Sequence, residues 1–178
     1  MKKNFARFVI GVDPSGNFNE GKGHTGFAVY DRKTNKIYDT DMTYAGDYES
    51  LEAYFAATWE KLKLWIEFAE DQKCVVSMES YKMYAHKMKE QTWSEVETPQ
   101  IIGYLRMKLY EEGIPLKMRP AVAVKKRWHE DVLVEYGYIE REGQSYYLEG
   151  QRLATHECDA IKHAIHCGKF ELEDLPIE

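Results

Sequence analysis

Three apolar, β-rich stretches, joined by a glycine-rich loop and a polar turn, occupy the chain up to Tyr44, and they limit the fold more than any other feature. The stretches run from Phe5 to Val12, from Thr25 to Tyr30 and from Ile37 to about Tyr44. Strands that follow one another in this way pair as an antiparallel meander. The chain therefore needs a sheet whose first three strands are antiparallel.

Helical patterns alternate with short strands in the rest of the chain. Apolar residues recur every three or four positions from Ser50 to Glu70, which predicts a helix with one buried face. A second long helix is predicted to start with Thr98 as its N-cap and to end at Glu112. The remaining predicted elements are strands at 74–78 and 114–118, a helix in two pieces over 121–136, a loop or hairpin over 138–150 and a last helix over 155–167. This order, β-β-β-α-β-α-β-α, predicts an α/β domain with a mixed five-stranded sheet flanked by helices.

The composition is that of one folded domain, which we take to span residues 1–178. Hydrophobic residues make up 44% of the chain and charged residues 30%, a balance typical of globular proteins rather than disordered ones. No apolar run approaches the roughly 18 residues of a membrane helix, and the apolar stretch before Asp13 is too short for a signal peptide. The three cysteines form no even disulfide framework. We therefore expect a cytoplasmic protein with no membrane partner.

Charge is distributed unevenly along the chain. The net charge of −6 argues against a general nucleic-acid coat, yet no acidic residue occurs between Gly113 and Trp128. Basic side chains cluster in that stretch and in a second one after Glu79. They are Lys117, Arg119, Lys125, Lys126 and Arg127 in the first stretch, and Lys82 and Lys87 in the second. We predict that these side chains contact phosphate, with solubility as the alternative role for the lysines.

Three carboxylates lie where a folded core does not require them. Asp13 ends the first strand, Glu79 ends the fourth and Asp159 lies one turn into the last helix. If the first and fourth strands are parallel neighbours, Asp13 and Glu79 emerge side by side, where their charges repel unless a cation lies between them. Oxygen ligands of this kind suit Mg²⁺ or Mn²⁺. A lone carboxylate at a strand end more often caps a turn, so the prediction depends on its conjunction with the last helix.

The last helix carries a polar stripe beside an apolar one. His156, Asp159 and His163 fall at i, i+3 and i+7, on one face, which suits a helix laid over a metal site. A solvated stripe is the alternative interpretation. The two histidines and the cysteines Cys158 and Cys167 are also zinc-ligand types, but their spacing matches no usual zinc pattern.

Four segments of the chain match the motifs of a known family: residues 8–14 with 24–28, residues 74–79, residues 120–125 and residues 156–160. With them the chain resembles RuvC-type Holliday junction resolvases of the ribonuclease H-like superfamily, and especially their phage-encoded branch. The chain departs from the family pattern in its longer loop between Asp13 and Thr25 and in lacking a glycine-containing stretch after Lys125. The resemblance implies a ribonuclease H-like fold, while the departures leave the substrate preference open.

The same resemblance implies a mechanism. Asp13, Glu79 and Asp159 would hold two divalent ions, Mg²⁺ or Mn²⁺, and His156 would act as a ligand or a proton-transfer group. The protein would then be a homodimeric crossover junction endodeoxyribonuclease. It would resolve Holliday junctions or other branched DNA, in recombination, repair or phage DNA processing, without a nucleotide cofactor. Tyr81 is expected to stack on an unpaired base, with packing on the core as its alternative role.

The dimer surface and the substrate have alternatives. The second long helix is a candidate dimer surface, because it has more apolar circumference than one core face uses: Ile101, Ile102, Leu105 and Leu109, with Tyr104 and Met107 to the side. The alternative is a helix enclosed within the domain. The same fold could act on forks, flaps or RNA-containing hybrids. The other classes are a DNA-binding protein without catalysis and one lobe of an actin-like ATPase. The complete acidic set argues against the first, and the lack of a second glycine-rich phosphate loop argues against the second.

Overall fold

A five-stranded sheet forms the centre of the molecule. The structure is a computed structural model, and it describes residues 6–69, 73–81 and 97–173. The strands of the sheet are β1 (Phe8–Asp13), β2 (His24–Asp31), β3 (Lys36–Tyr44), β4 (Cys74–Ser80) and β5 (Leu116–Pro120). Their spatial order is β3-β2-β1-β4-β5.

The sheet is mixed, as the sequence predicts. Strands β1, β2 and β3 pair antiparallel, whereas β4 runs parallel to β1 and β5 parallel to β4. Every residue of β1 is buried, because this strand is central and both faces of the sheet are covered. Its alternate side chains enter two separate cores, with Ile10 in one and Val9 in the other.

Helices cover both faces of the sheet. They are α1 (Leu51–Phe68), α2 (Glu97–Glu111), α3 (Ala121–Lys125), α4 (Glu130–Glu135) and α5 (Thr155–Phe170). The first two pack on one core and the last three on the other. Helix α1 begins where expected, because the Ser50 hydroxyl accepts a hydrogen bond from the backbone N–H of Ala53. Across the described ranges, none of the helices has both the length and the apolar character needed to cross a membrane.

The segment after α4 contains one strand more than a hairpin. Strands β6 (Glu140–Glu142) and β7 (Ser145–Leu148) form the hairpin, and β8 (Gln151–Arg152) pairs with the other side of β7. The third strand has only two residues, too few to show an alternating pattern in the sequence.

Helix α2 differs from its prediction at the start. The structure is already helical at Glu97, so Thr98 lies inside the helix and is not its N-cap. The Thr98 hydroxyl instead accepts a hydrogen bond from the backbone N–H of Gly16, 3.0 Å away. The cause is tertiary, since a loop far away in sequence occupies this hydroxyl.

Helix α2 is enclosed by the domain on one side, and its role as a dimer surface stays a prediction. Its four apolar residues, Ile101, Ile102, Leu105 and Leu109, are buried in the core that α2 shares with α1 and the sheet. The helix is enclosed on this side because two helices cover one face of the sheet. Its outer side instead exposes Met107 and Tyr110, at 61% and 84% of their surface.

Helix α5 lies unusually close to the sheet, and glycine makes this approach feasible. A Cβ atom at Gly11 of β1 would lie 1.9 Å from the carbonyl oxygen of Ala160. The small residues Ala160 and Ala164 face this glycine from the helix. The contact between β1 and α5 is therefore one of backbone against backbone, and it sets the height of α5 above the sheet.

This contact predicts opposite effects for two glycine-to-alanine substitutions. Gly11→Ala should lower the free energy of unfolding by about 1–3 kcal/mol or more, because the new methyl group displaces α5. Gly103→Ala, on α2, meets no atom within 4 Å and should raise it by about 0.5–1 kcal/mol, because alanine favours the helix. Urea unfolding followed by circular dichroism measures both. Equal stabilities for the two variants would contradict the tight contact.

Candidate active site

Asp13 and Glu79 lie side by side at the carboxyl edge of the sheet. Strands β1 and β4 are parallel neighbours, and Val12 pairs with Met78, so the next residue of each strand is a carboxylate. This confirms the predicted condition for their proximity. Asp13 is buried, and Glu79 retains about a quarter of its side-chain surface.

The first turn of α5 brings His156 to Asp13. Gly26 of β2 pairs with Asp13, and a Cβ atom at Gly26 would lie 2.2 Å from the carbonyl oxygen of His156. This second glycine lets the helix start directly above the end of β1. The Nδ1 atom of His156 lies 2.5 Å from Oδ2 of Asp13. When Nδ1–H donates to the carboxylate, Nε2 of the same ring is left for another partner.

The ammonium group of Lys125, at the end of α3, lies between the other two carboxylates. Its Nζ atom is 2.7 Å from Oδ2 of Asp159 and 3.1 Å from Oε2 of Glu79. Burial lowers the pKa of Lys125, but the charges of Asp13, Asp159 and Glu79 outweigh it, so the pKa is raised. Lys125 therefore stays charged and offsets the repulsion among the carboxylates.

The pKa values of Asp13 and Glu79 are shifted in opposite directions. Burial, together with the neighbouring Glu79, raises the pKa of Asp13 to about 6, against the opposing effect of His156. Burial also acts to raise the pKa of Glu79, but His163, Asp13 and Lys125 outweigh it and lower that pKa to about 2. The first proton that this pair takes up as the pH falls therefore goes to Asp13.

A second lysine, which the sequence analysis missed, offsets the negative charge of Asp159 on its buried side. Lys162 is 3% exposed, and its Nζ atom lies 2.8 Å from Oδ1 of Asp159 and 2.6 Å from Oε1 of Glu130. Asp159 thus has an ammonium group on each oxygen. The sequence signal was a lysine one turn after Asp159, on the side of α5 that packs against the protein.

A second imidazole lies beside His156. The rings of His24 and His156 are 6.0 Å apart between centroids, and the ring of Tyr44 stacks on His24 at 4.5 Å. The Nδ1 atom of His24 lies 2.8 Å from the carbonyl oxygen of Lys22, and the Tyr44 hydroxyl donates to the carbonyl oxygen of Gly21. These contacts hold His24 at the rim of the site.

A ring of hydrogen bonds fixes the backbone just after Asp13. The N–H of Ser15 donates to the Thr25 hydroxyl, 3.3 Å away. That hydroxyl lies 2.8 Å from the Tyr54 hydroxyl, which donates back to the carbonyl oxygen of Ser15. Because Thr25 and Tyr54 are fully buried, water does not compete for these bonds.

Helix α2 holds the next part of the same loop. The buried carboxylate of Glu97 accepts hydrogen bonds from the backbone N–H groups of Phe18 and Asn19. Gly16 allows the close approach, because a Cβ atom there would lie 2.4 Å from the backbone of Glu97. Sequence reasoning missed Glu97, since nothing local links it to a loop so distant in the chain.

The predicted DNA-binding residues differ in their exposure and in the contacts they make. Lys126 and Arg127 are exposed beside Lys125. Arg127 lies 3.8 Å above the ring of Phe170. Arg119 pairs with Glu171 at 2.6 Å, and Lys117 is half-buried on β5. Lys82 and Lys87 lie outside the described residues. The ring of Tyr81 packs against the core that contains α1 and α2, so its predicted alternative role is present in the structure.

The chemical types of these side chains fit a hard divalent cation, although they do not form a complete coordination site as they stand. Three carboxylates and one imidazole converge here, which is the ligand chemistry of Mg²⁺ or Mn²⁺. Lys125 occupies the space between two of the carboxylates. Among the residues that the structure describes, no three His, Cys, Asp or Glu side chains are grouped closely enough to hold an ion as they stand. Burial raises the pKa of Cys158 and of Cys167 to about 12, which argues against zinc thiolates.

The buried Lys162 predicts a large loss of stability on truncation. Lys162→Met should lower the free energy of unfolding by about 3–5 kcal/mol, because it leaves two carboxylates buried without their cation. Lys108→Met is the matched control, since Lys108 pairs with Glu111 on the surface of α2, and it should leave stability unchanged. Thermal and urea unfolding measure both variants. Equal effects would contradict the buried triad.

Comparison with solved structures identifies the fold. No protein-family model matches the sequence, and no curated protein sequence matches it. The structure of Thermus thermophilus RuvC in complex with a Holliday junction substrate has a TM-score of 0.63 and 15% identity, and the match covers 90% of this chain and 92% of that one. Another T. thermophilus RuvC structure has a TM-score of 0.61 and 16% identity, covering 90% and 93%. The resemblance to RuvC-type resolvases is thereby confirmed at the level of the fold, and the chain has the ribonuclease H-like fold.

Proposed function

We propose that this protein is a metal-dependent endonuclease that resolves Holliday junctions or other branched DNA. The observation that carries the proposal is the convergence of Asp13, Glu79 and Asp159 from β1, β4 and α5 on a single ammonium group. Carboxylates gathered in this way, at the edge of a sheet, are an arrangement that binds divalent cations. A protein with the same fold holds a Holliday junction substrate in its solved structure.

The same residues would hold two Mg²⁺ or Mn²⁺ ions. Asp13, Glu79 and Asp159 supply the oxygen ligands, and His156 would act either as a nitrogen ligand or as a proton-transfer group. Divalent cations in such a site activate water and offset the negative charge that develops on a phosphodiester. Binding them requires Lys125 to leave its place between Glu79 and Asp159. Its side chain is about a third exposed, so it can turn outward.

His156 is the candidate proton-transfer group. Its hydrogen bond to Asp13 raises the pKa of the imidazole and fixes the ring. With Nδ1 held by Asp13, Nε2 can accept a proton from the attacking water or deliver one to the leaving oxygen. The hydrogen bonds around Ser15 and Glu97 keep the backbone after Asp13 in place for this role.

The exposed basic residues would hold the DNA backbone. Once displaced from the carboxylates, Lys125 can contact the scissile phosphate, and Lys126 and Arg127 can contact its neighbours. Lys117, Arg119, Lys82 and Lys87 complete the proposed phosphate contacts, with Tyr81 the proposed base contact. A homodimer would cut two strands symmetrically, and the protein would act in the cytoplasm of a bacterial host if a phage encodes it.

Removing one carboxylate should separate cleavage from binding. Asp13→Asn and Glu79→Gln should each abolish cutting of a labelled four-way junction in Mg²⁺ or Mn²⁺. Each substitution replaces a negatively charged cation ligand with a neutral amide of the same size. Binding of the junction should persist, since neither residue belongs to the basic surface. Denaturing gels report cutting, gel shifts report binding, and chelation with EDTA should also stop the wild-type reaction.

The same assay decides between the proposed function and its alternatives. Paired symmetric nicks in the junction, with linear duplex intact, support a resolvase. Equal cutting of forks and flaps keeps the nuclease but broadens the substrate. Tight junction binding without any cutting in either metal would contradict catalysis and leave a DNA-binding protein. A Glu79→Gln protein that cuts at the normal rate would contradict the proposed site.

The exposed lysine next to Lys125 gives a prediction about salt. Lys126→Gln should weaken binding to every DNA tested and reduce the slope of log affinity against log salt by about 0.9, the value for one lost phosphate contact. Lys36→Gln is the control, because Lys36 is exposed at the start of β3, at the other end of the sheet. Fluorescence anisotropy at several salt concentrations measures both. Parallel slopes for Lys126→Gln and the wild type would contradict the contact.

A further inference from the structure

His163 is a buried polar side chain that the proposed mechanism does not yet use. It lies on α5, one turn beyond Asp159, and none of its surface is exposed. Neither of its ring nitrogens has a hydrogen-bond partner within the described part of the chain. A buried donor without a partner costs about 1–3 kcal/mol, so a histidine here calls for a physical reason where leucine would pack at no such cost.

The polar group that His163 faces is Glu79. Its Nε2 atom lies 3.6 Å from Oε2 of Glu79, slightly beyond the length of a hydrogen bond. The same oxygen lies 3.1 Å from Nζ of Lys125, on the side of the site that remains partly exposed. Glu79 is thus approached by a partly exposed ammonium group on one side and by a buried imidazole on the other.

We propose that His163 is a positioning residue for Glu79: its Nε2–H donates to Oε2 and aims the carboxylate at the cation site. The inference rests on the proposed function, since it assigns how one ligand of that site is held. A shift of a few tenths of an ångström closes the hydrogen bond. Lys125 must leave when a cation binds, and His163 then remains as the interior contact that holds Glu79 in place.

The geometry of α5 supports this role. Asp159 and His163 are four residues apart and therefore share one face of the helix. Helix α5 packs backbone against backbone on β1 at Gly11, so this face lies at a fixed height above the sheet that carries Glu79. Outer contacts of this kind orient the ligands of a metal and typically contribute about 10–100-fold to its affinity.

Three substitutions at this position separate donation from packing. Glutamine places its side-chain N–H near the position of Nε2, asparagine reaches only as far as Nδ1, and leucine fills the space without a donor. His163→Leu and His163→Asn should weaken Mn²⁺ binding by about 10–100-fold, whereas His163→Gln should restore most of the affinity. Electron paramagnetic resonance of free Mn²⁺ measures the dissociation constant, and thermal unfolding shows that each variant is folded.

The outcomes distinguish this inference from the proposed function. A wild-type protein that binds no Mn²⁺ would overturn the metal-dependent function and the inference with it. If the wild type binds Mn²⁺ and all three His163 variants bind it with the same affinity, only the role of His163 would be overturned. Nitrogen-15 spectra of the wild-type imidazole supply a readout that needs no variant. A proton on Nε2 supports the donor, and a ring protonated only on Nδ1 overturns it.

Discussion

The cluster of carboxylates and histidine at the carboxyl edge of the sheet depends on the contact between α5 and β1. Gly11 and Gly26 remove the two side chains that would hold the helix away, so its backbone lies directly on the strands. This closeness lets residues from the helix reach carboxylates that belong to the sheet. Because α5 lies so close to the sheet, only one face of the helix can contact Asp13 and Glu79.

That contact concentrates negative charge, and the protein offsets it in two ways. On the inner side, Lys162 links Asp159 to Glu130 and is sealed from water. On the outer side, Lys125 reaches Asp159 and Glu79 but keeps a third of its surface exposed. The inner ammonium group belongs to the permanent structure. The outer one is the group that the proposed binding of a cation would displace.

Much of the fold and of the candidate site could be predicted because their signals are local. A strand that ends in a carboxylate is visible in Asp13, and helical spacing is visible in His156 and Asp159. What could not be predicted is tertiary: Glu97 holds a loop that lies far away in sequence, and Thr98 serves that loop instead of capping its own helix. The sequence also left open whether α2 packs in the core or against a second copy, since an apolar face does not reveal whether its partner is the same chain or another.

The distance in sequence between the site residues has a consequence for folding. Asp13 lies in the first strand and Asp159 in the last helix, so the carboxylates meet only after most of the chain has been ordered and a long loop has been closed. Contacts of this range form late and slowly. A nascent or partly melted chain in which α5 has not docked carries Asp13 and Glu79 without Asp159 or His156. The complete cluster of carboxylates and histidine therefore exists only in the fully folded molecule.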